Sequence, residues 1–174
     1  ALSAEAVTIP ARAEQYRGYL KRLAFQTTGR ADASLLGAQV HAESFWRPEA
    51  VSPVGACGLA QIMPLTKDFL RSRHRAKLGS GTCASPRWAL HAMVLYMHDL
   101  RSRMAGIDDI ERAAFALSGY HGGAKWVARR KALSPEPLVC LFKTCDINPG
   151  ILPANQLADQ EYARRILLRL APIY

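Results

Sequence analysis

Glu43 is the residue best placed by its neighbours for acid chemistry. An apolar helical pattern leads up to it, and Phe45 and Trp46 follow it. Desolvation by such neighbours disfavours a charged carboxylate, so its pKa is expected to rise. A carboxylic acid tuned that way donates protons near neutral pH. The plainer alternative is a solvated glutamate beside a helix end, the common condition of that residue. A turn-rich loop comes next, Ser52-Pro53-Val54-Gly55-Ala56-Cys57-Gly58, whose glycines permit positive φ or close backbone approach. Residues 59–63 read as a short helix stopped by Pro64.

Enzymes that cleave glycosidic bonds commonly hold two carboxylates about 5 to 10 Å apart. Glu43 has only Glu49 near it in sequence, just past the helix end, and Glu161 far along the chain. The chemistry therefore uses one carboxylate or recruits a distant one. Other standard sites are missing: the sequence has no GxSxG elbow, P-loop, HExxH or GxGxxG motif. Gly122-Gly123 follows a helical pattern instead of opening one after a strand, which makes a poor phosphate cradle.

No metal site or cofactor is expected. Cys57, Cys83, Cys140 and Cys145 lack the paired CxxC spacing and nearby histidines of a zinc site. Four cysteines fit two disulfides and an oxidising compartment. Three pairings are open. The favoured one joins Cys140 to Cys145 around a short loop and Cys57 to Cys83; four buried thiols are the alternative. His91 and His98 share a helix without a third ligand, and the methionines Met93, Met97 and Met104 recur at helical spacing as core packing.

The elements that must position these groups are helical. Tyr16, Tyr19, Leu20, Leu23 and Ala24 give helical spacing over residues 11–27, ended by Gly29. Asp32 is a candidate N-cap for a helix over 33–45, with Leu35, Leu36, Gln39, Val40 and Glu43 on or beside the inward face and His41 pointing elsewhere. A weaker helix is expected over 65–75. Ser85-Pro86 opens a helix to about Met104, and Asp108 caps one over 110–117. A glycine-rich turn, Ser118-Gly119-Tyr120-His121-Gly122-Gly123, leads to a helix over 124–131. Residues 133–154 form a long connection that a disulfide pins or a groove uses. The final helix, 156–170, is amphipathic through Leu157, Tyr162, Ile166 and Leu170. No alternating strand, repeat or low-complexity tract is evident. The fold class is predominantly α: a lead-in over 1–10 and a single domain over 11–174.

The 174 residues carry 23 Lys+Arg against 14 Asp+Glu, a net charge of +9 that favours polyanionic partners. Aromatic residues are not interleaved with the basic clusters at residues 71–75 and 129–131, so a base-stacking platform for nucleic acid is not expected. No apolar run approaches the ~20 residues of a membrane span. A start at Ala1 without methionine fits removal of a signal or anchor, though no n-region or h-region is present.

The ordered set Glu43-Ser44, Ala50-Val51-Ser52-Pro53, Gly55-Ala56, Gly58-Leu59 and Gln61-Ile62-Met63-Pro64 resembles the signature of soluble-type lytic transglycosylases, lysozyme-like enzymes that cleave bacterial peptidoglycan. Tyr120-His121-Gly122-Gly123 resembles the family's later Tyr-Asn-x-Gly motif. Glu161-Tyr162 is a looser match to its C-terminal element. The Gly-Ala-Cys-Gly-Leu-Ala-Gln variant and the late cysteine loop most resemble phage-encoded members, endolysins among them.

The resemblance implies a lysozyme-like α fold, or α+β with very little sheet, around a substrate groove. It implies Glu43 as the single acid/base, cleaving between N-acetylmuramic acid and N-acetylglucosamine and forming a 1,6-anhydro ring without water. Tyr120 would orient Glu43. Ser52 and Gln61 would bond the sugars, Met63 would pack on a sugar face, and Glu161 would lie near the N-acetyl or peptide portion. His121 stands where the family usually has asparagine, which puts that position's polar contact in doubt. The implied partner is peptidoglycan, handled by a monomer in the periplasm or outside the cell, or exported by a phage for host lysis. Two alternatives share the scaffold: a goose-type hydrolytic muramidase, and a non-enzymatic wall-binding assembly protein.

Overall fold

A computed structural model of the chain describes residues 7–30 and 32–174. Residues 1–6 of the expected lead-in lie outside the described residues. Helices dominate, as the apolar spacing predicts. α1 spans Glu14–Thr28, α2 Ala33–Ser44, α3 Pro64–Arg73, α4 Arg75–Leu78, α5 Pro86–Arg103, α6 Asp109–Ser118, α7 Ala124–Leu133 and α8 Pro153–Arg164. Among the described residues, pairing of extended backbone is confined to the isolated bridges Val51–Cys57 and Cys57–Ile62. No described helix is long and apolar enough to cross a membrane.

The chain divides into two compact units: Ala1–Val94 with Leu168–Tyr174, and Leu95–Leu167. In the first, α1 packs on α2 through Leu20, Leu23 and Ala24, and the 3-10 turn Ala171–Ile173 packs on α2. Gly29, with φ 67°, ends α1 in the left-handed conformation that glycine adopts without a Cβ penalty. Pro64 does not stop a helix but starts one, at the first position of α3, where its missing N–H costs nothing.

Residues 59–63, expected to be helical, instead form a tight turn. The cause is local: Cys57 and Ile62 exchange backbone hydrogen bonds of 3.2 and 3.1 Å, and the chain between them must reverse. Gly58 at φ 75° and Gln61 at φ 45° make that reversal.

In the second unit α6 packs on α8 and on a π-helical turn, Gly119–Gly123. Asp108 accepts the Glu111 N–H and caps α6 as expected. The long connection is ordered by three devices. The Cys140–Cys145 disulfide closes it. The Glu111 carboxylate accepts the N–H groups of Cys140 and Leu141 at 2.6 and 2.9 Å. Thr144 Oγ1 bonds Ser134 Oγ and Glu136 O, each at 2.7 Å. Leu157, expected on the inward face of the last helix, is 58% exposed. α8 buries Gln156, Asp159, Tyr162 and Ala163 instead, and the chain continues as a π-helical segment, Arg165–Leu170.

Candidate active site

Glu43 is the last residue but one of α2 and is half-buried. Two consecutive non-glycine residues beyond it hold left-handed backbone, Phe45 at φ 53° and Trp46 at φ 60°. Such strain persists only where surrounding contacts over-determine it, and it concentrates at functional sites. Trp46 supplies those contacts. It is fully buried, it stacks on Tyr16 and Tyr174, and its indole N–H donates to the Tyr174 hydroxyl at 2.7 Å. That hydroxyl lies 2.8 Å from His41 Nδ1. The Tyr174 oxygen accepts from the indole and bonds Nδ1 through its own proton or its second lone pair, according to the His41 tautomer. His41 is therefore buried at 4% exposure within this network, not turned away as the helical spacing suggested. Gly37 makes room for Tyr174: a Cβ there would lie 2.8 Å from its ring.

The loop after Glu43 is braced from both ends. Ser44 Oγ donates to Leu59 O at 2.8 Å, tying the end of α2 to the turn. The Gln61 side-chain amide donates to Ala50 O and Gly58 O, both at 3.0 Å. Ser52 Oγ accepts the Ala56 N–H at 3.0 Å. The Cys57–Cys83 disulfide fixes the loop to the chain that leads into α5. Gly58 is pressed against that chain so closely that a Cβ would sit 1.9 Å from Cys83 O. Met63 is 41% exposed, so it is not plain core.

The bonding narrows what each side chain can offer. The Gln61 side chain donates through Nε2 to both carbonyls, which engages its donors and not its acceptor oxygen. Ser52 accepts from the backbone and keeps its O–H proton for donation.

In the second unit, Tyr120 and His121 lie in the π-helical turn, a departure from α geometry that often marks functional positions. The Tyr120 ring lies 5.2 Å from that of Tyr96, whose phenol burial pushes above its ordinary pKa. His121 stacks on Tyr162 at 4.4 Å, and its Nε2 lies 3.7 Å from Asp159 Oδ1. Burial lowers the pKa of His121, with Asp159 pulling the other way. Asp159 also receives Arg130 Nη2 at 2.9 Å, while the same guanidinium donates to Gln156 Oε1 at 2.8 Å and Ile147 O at 3.1 Å. Glu161 pairs with Arg164 at 3.2 Å on a half-exposed face.

Ser52, Gln61 and Met63 thus share the first unit with Glu43. Tyr120, His121 and Glu161 belong to the second. The Tyr174–His41–Trp46 network and the Arg130–Asp159 pair were missed by sequence reasoning. A signal for the second existed: Arg130 lies three residues after apolar Val127, on its face of α7, and Gln156 and Asp159 stand three apart on α8.

The transglycosylase SLT domain matches residues 24–137, well over half of the chain. The chain belongs to the transglycosylase SLT family. Within the SLT match lie Glu43, Ser52, Gln61, Met63, Tyr120 and His121, whereas Glu161 lies beyond its end. The membrane-bound lytic murein transglycosylase F of Pasteurella multocida (strain Pm70) is 32% identical over 114 residues, 63% of this chain and 22% of that protein. The protein of the same name from Haemophilus influenzae (strain PittGG) is 36% identical over 96 residues, 55% of this chain and 18% of that protein. The chain thus spans about a fifth of the curated relatives it matches. In fold it is similar to the 70 kDa soluble lytic transglycosylase of Escherichia coli, with a TM-score of 0.56 and 20% identity over 87% of this chain and 25% of that one.

Proposed function

We propose that this SLT family member is a peptidoglycan lytic transglycosylase with Glu43 as its single acid/base. The observation that carries this reading is the bracing of Glu43's helix end. Within the stretch matched by the family, Ser44 ties the end of α2 to the loop that presents Ser52, Gln61 and Met63. A carboxyl at a fixed helix end beside a rigid, ligand-facing loop suits proton transfer to a bound polymer.

The step balances without water. Glu43 gives its proton to the oxygen linking N-acetylmuramic acid to N-acetylglucosamine, and the C1–O bond breaks. The carboxylate then takes the proton of the muramic C6 hydroxyl as that oxygen bonds to C1, closing a 1,6-anhydro ring. Both reacting groups belong to one sugar, so positioning supplies much of the acceleration. The acetamido group of that sugar and nearby dipoles share the charge developing at C1. The Gln61 oxygen accepts from a sugar amide or hydroxyl, Ser52 donates, and Met63 packs against a ring face. By the family resemblance, Tyr120 is the residue proposed to orient the carboxyl.

The net charge of +9 suits a wall rich in carboxylates, and the two disulfides suit an oxidising workplace in the bacterial envelope. Glu43→Gln tests the assignment. We expect release of soluble fragments from purified peptidoglycan to fall at least about a thousandfold, with the melting temperature unchanged. Parental activity in that variant would refute the acid role. For Tyr120→Phe we expect a partial loss worth roughly 1–3 kcal/mol of activation free energy, from one charge-assisted hydrogen bond. An unchanged rate would reduce Tyr120 to packing.

A further inference from the structure

We propose that Tyr174 is a positioning residue for Glu43: its hydroxyl fixes the left-handed backbone that follows the carboxyl-bearing end of α2. The hydroxyl reaches both sides of Glu43 in the chain. Its oxygen accepts the indole N–H of Trp46, three residues after Glu43, at 2.7 Å. It also lies 2.8 Å from Nδ1 of His41, two residues before Glu43. His41 in turn meets the Phe45 ring nearly at right angles, with centroids 4.9 Å apart. Both left-handed residues, Phe45 at φ 53° and Trp46 at φ 60°, are therefore held from one oxygen, Trp46 directly and Phe45 through His41. All of these residues belong to the first compact unit.

Burial makes the hydroxyl matter beyond the packing of its ring. Trp46 and His41 are 0% and 4% exposed, so water does not stand in for the phenol oxygen. Without it the indole N–H is buried with no acceptor, a costly condition. The ring is placed to deliver that oxygen. It stacks on Trp46 at 6.0 Å, and the Tyr174 carbonyl accepts Arg17 Nη2 at 3.4 Å. Gly37 clears its path, since a Cβ there would lie 2.8 Å from the ring. Burial raises the Tyr174 pKa against the pull of the Trp46 bond and of Arg17, so the phenol keeps its proton around neutral pH. A strained backbone relaxes once the contacts that over-determine it are lost, and the carboxyl next to it moves too. A shift of about 1 Å in a reacting group costs roughly a hundredfold in rate. That the carboxyl so held is an acid rests on the function proposed above; the brace rests on the geometry alone.

Tyr174→Phe removes the hydroxyl and keeps the ring. Two amides report on the brace: Phe45 N–H donates to His41 O at 3.0 Å, and Arg47 N–H donates to Ser44 O at 3.1 Å. In the variant their hydrogen exchange is expected to speed up about tenfold or more. The Gly29 N–H, which donates to Phe25 O at the end of α1, serves as the unchanged reference. On soluble peptidoglycan fragments, kcat is expected to fall about tenfold or more with KM within about twofold, at a temperature where the variant is fully folded. Gly37→Ala displaces the ring with its hydroxyl intact and is expected to act on exchange and kcat in the same direction. Leu23→Ala loosens α1 on α2 without touching the hydroxyl. It is expected to lower the melting temperature and to leave kcat within about twofold of the parent's.

Parental exchange at Phe45 and Arg47 in Tyr174→Phe would overturn the proposal. So would faster exchange with kcat unchanged, which would make Tyr174 a structural residue only. A loss of kcat in Leu23→Ala equal to that in Tyr174→Phe would overturn it as well, because any loosening of the unit would then suffice. Should Tyr174→Phe fail to fold, Gly37→Ala decides by the same two readouts. The exchange readout needs no bond cleavage, so a failure of the acid assignment is seen separately, as Glu43→Gln that keeps parental activity.

Discussion

His121 is held between two opposing influences: burial strips water from its ring, and the Asp159 carboxylate 3.7 Å away favours its protonation. Burial wins, and the folded-state pKa lies below the ordinary value. The sign of the consequence is fixed by linkage. Above the unfolded pKa of about 6.5 the ring is neutral in both states and its contribution to stability is intact. As the pH falls below that value the unfolded chain takes up the proton first, and stability is lost until the folded pKa is passed. His91, also lowered by burial with help from Lys77 and His74, adds to the same trend. We therefore expect the melting temperature to drop between about pH 7.5 and pH 5.5, and His121→Asn to shrink that drop. An equal drop in the variant would show that His121 does not contribute to it, and a larger drop would show that Asp159, and not burial, governs the ring. Family resemblance marked position 121 as a departure; it could not reveal the Asp159 partner, because that contact joins residues thirty-eight apart in sequence.

Among the elements, the loop after α2 shows where local patterns stop being informative. The longer helices were legible because apolar residues recur at helical spacing over ten or more positions, and because Gly29, Pro86 and Asp108 carry end signals. The five residues 59–63 offer too short a pattern, and their conformation is decided from outside. The partner of Cys57 lies 26 residues away, and Gly58 is packed against that partner's carbonyl. Likewise nothing near His41 announces that Tyr174 will bury it. Gly58→Ala tests how tightly the loop is fixed. Its Cβ combines a left-handed backbone with a clash against Cys83 O, so a loss of roughly 2–4 kcal/mol is expected in denaturant melts. Gly29→Ala, with similar φ and nothing within 4 Å of its Cβ, is expected to lose only about 1 kcal/mol. Equal losses would mean that the loop yields and does not hold Gln61 and Met63 rigidly.

At the scale of the whole molecule, sequence alone supplied the helical class, both disulfide pairings as the favoured choice, and the family to which the chain belongs. The division of candidate residues between two compact units was not legible, since it depends on which helices pack together and not on any local pattern. The product of the reaction distinguishes the proposed chemistry from hydrolysis. A single acid/base that uses the sugar's own C6 hydroxyl must leave 1,6-anhydromuramic ends and take up no water. Mass analysis of the muropeptides released from purified peptidoglycan in water enriched in oxygen-18 tests this most directly. Anhydro ends without incorporated label are expected. Reducing muramic ends carrying oxygen-18 would contradict that expectation and identify a hydrolytic muramidase.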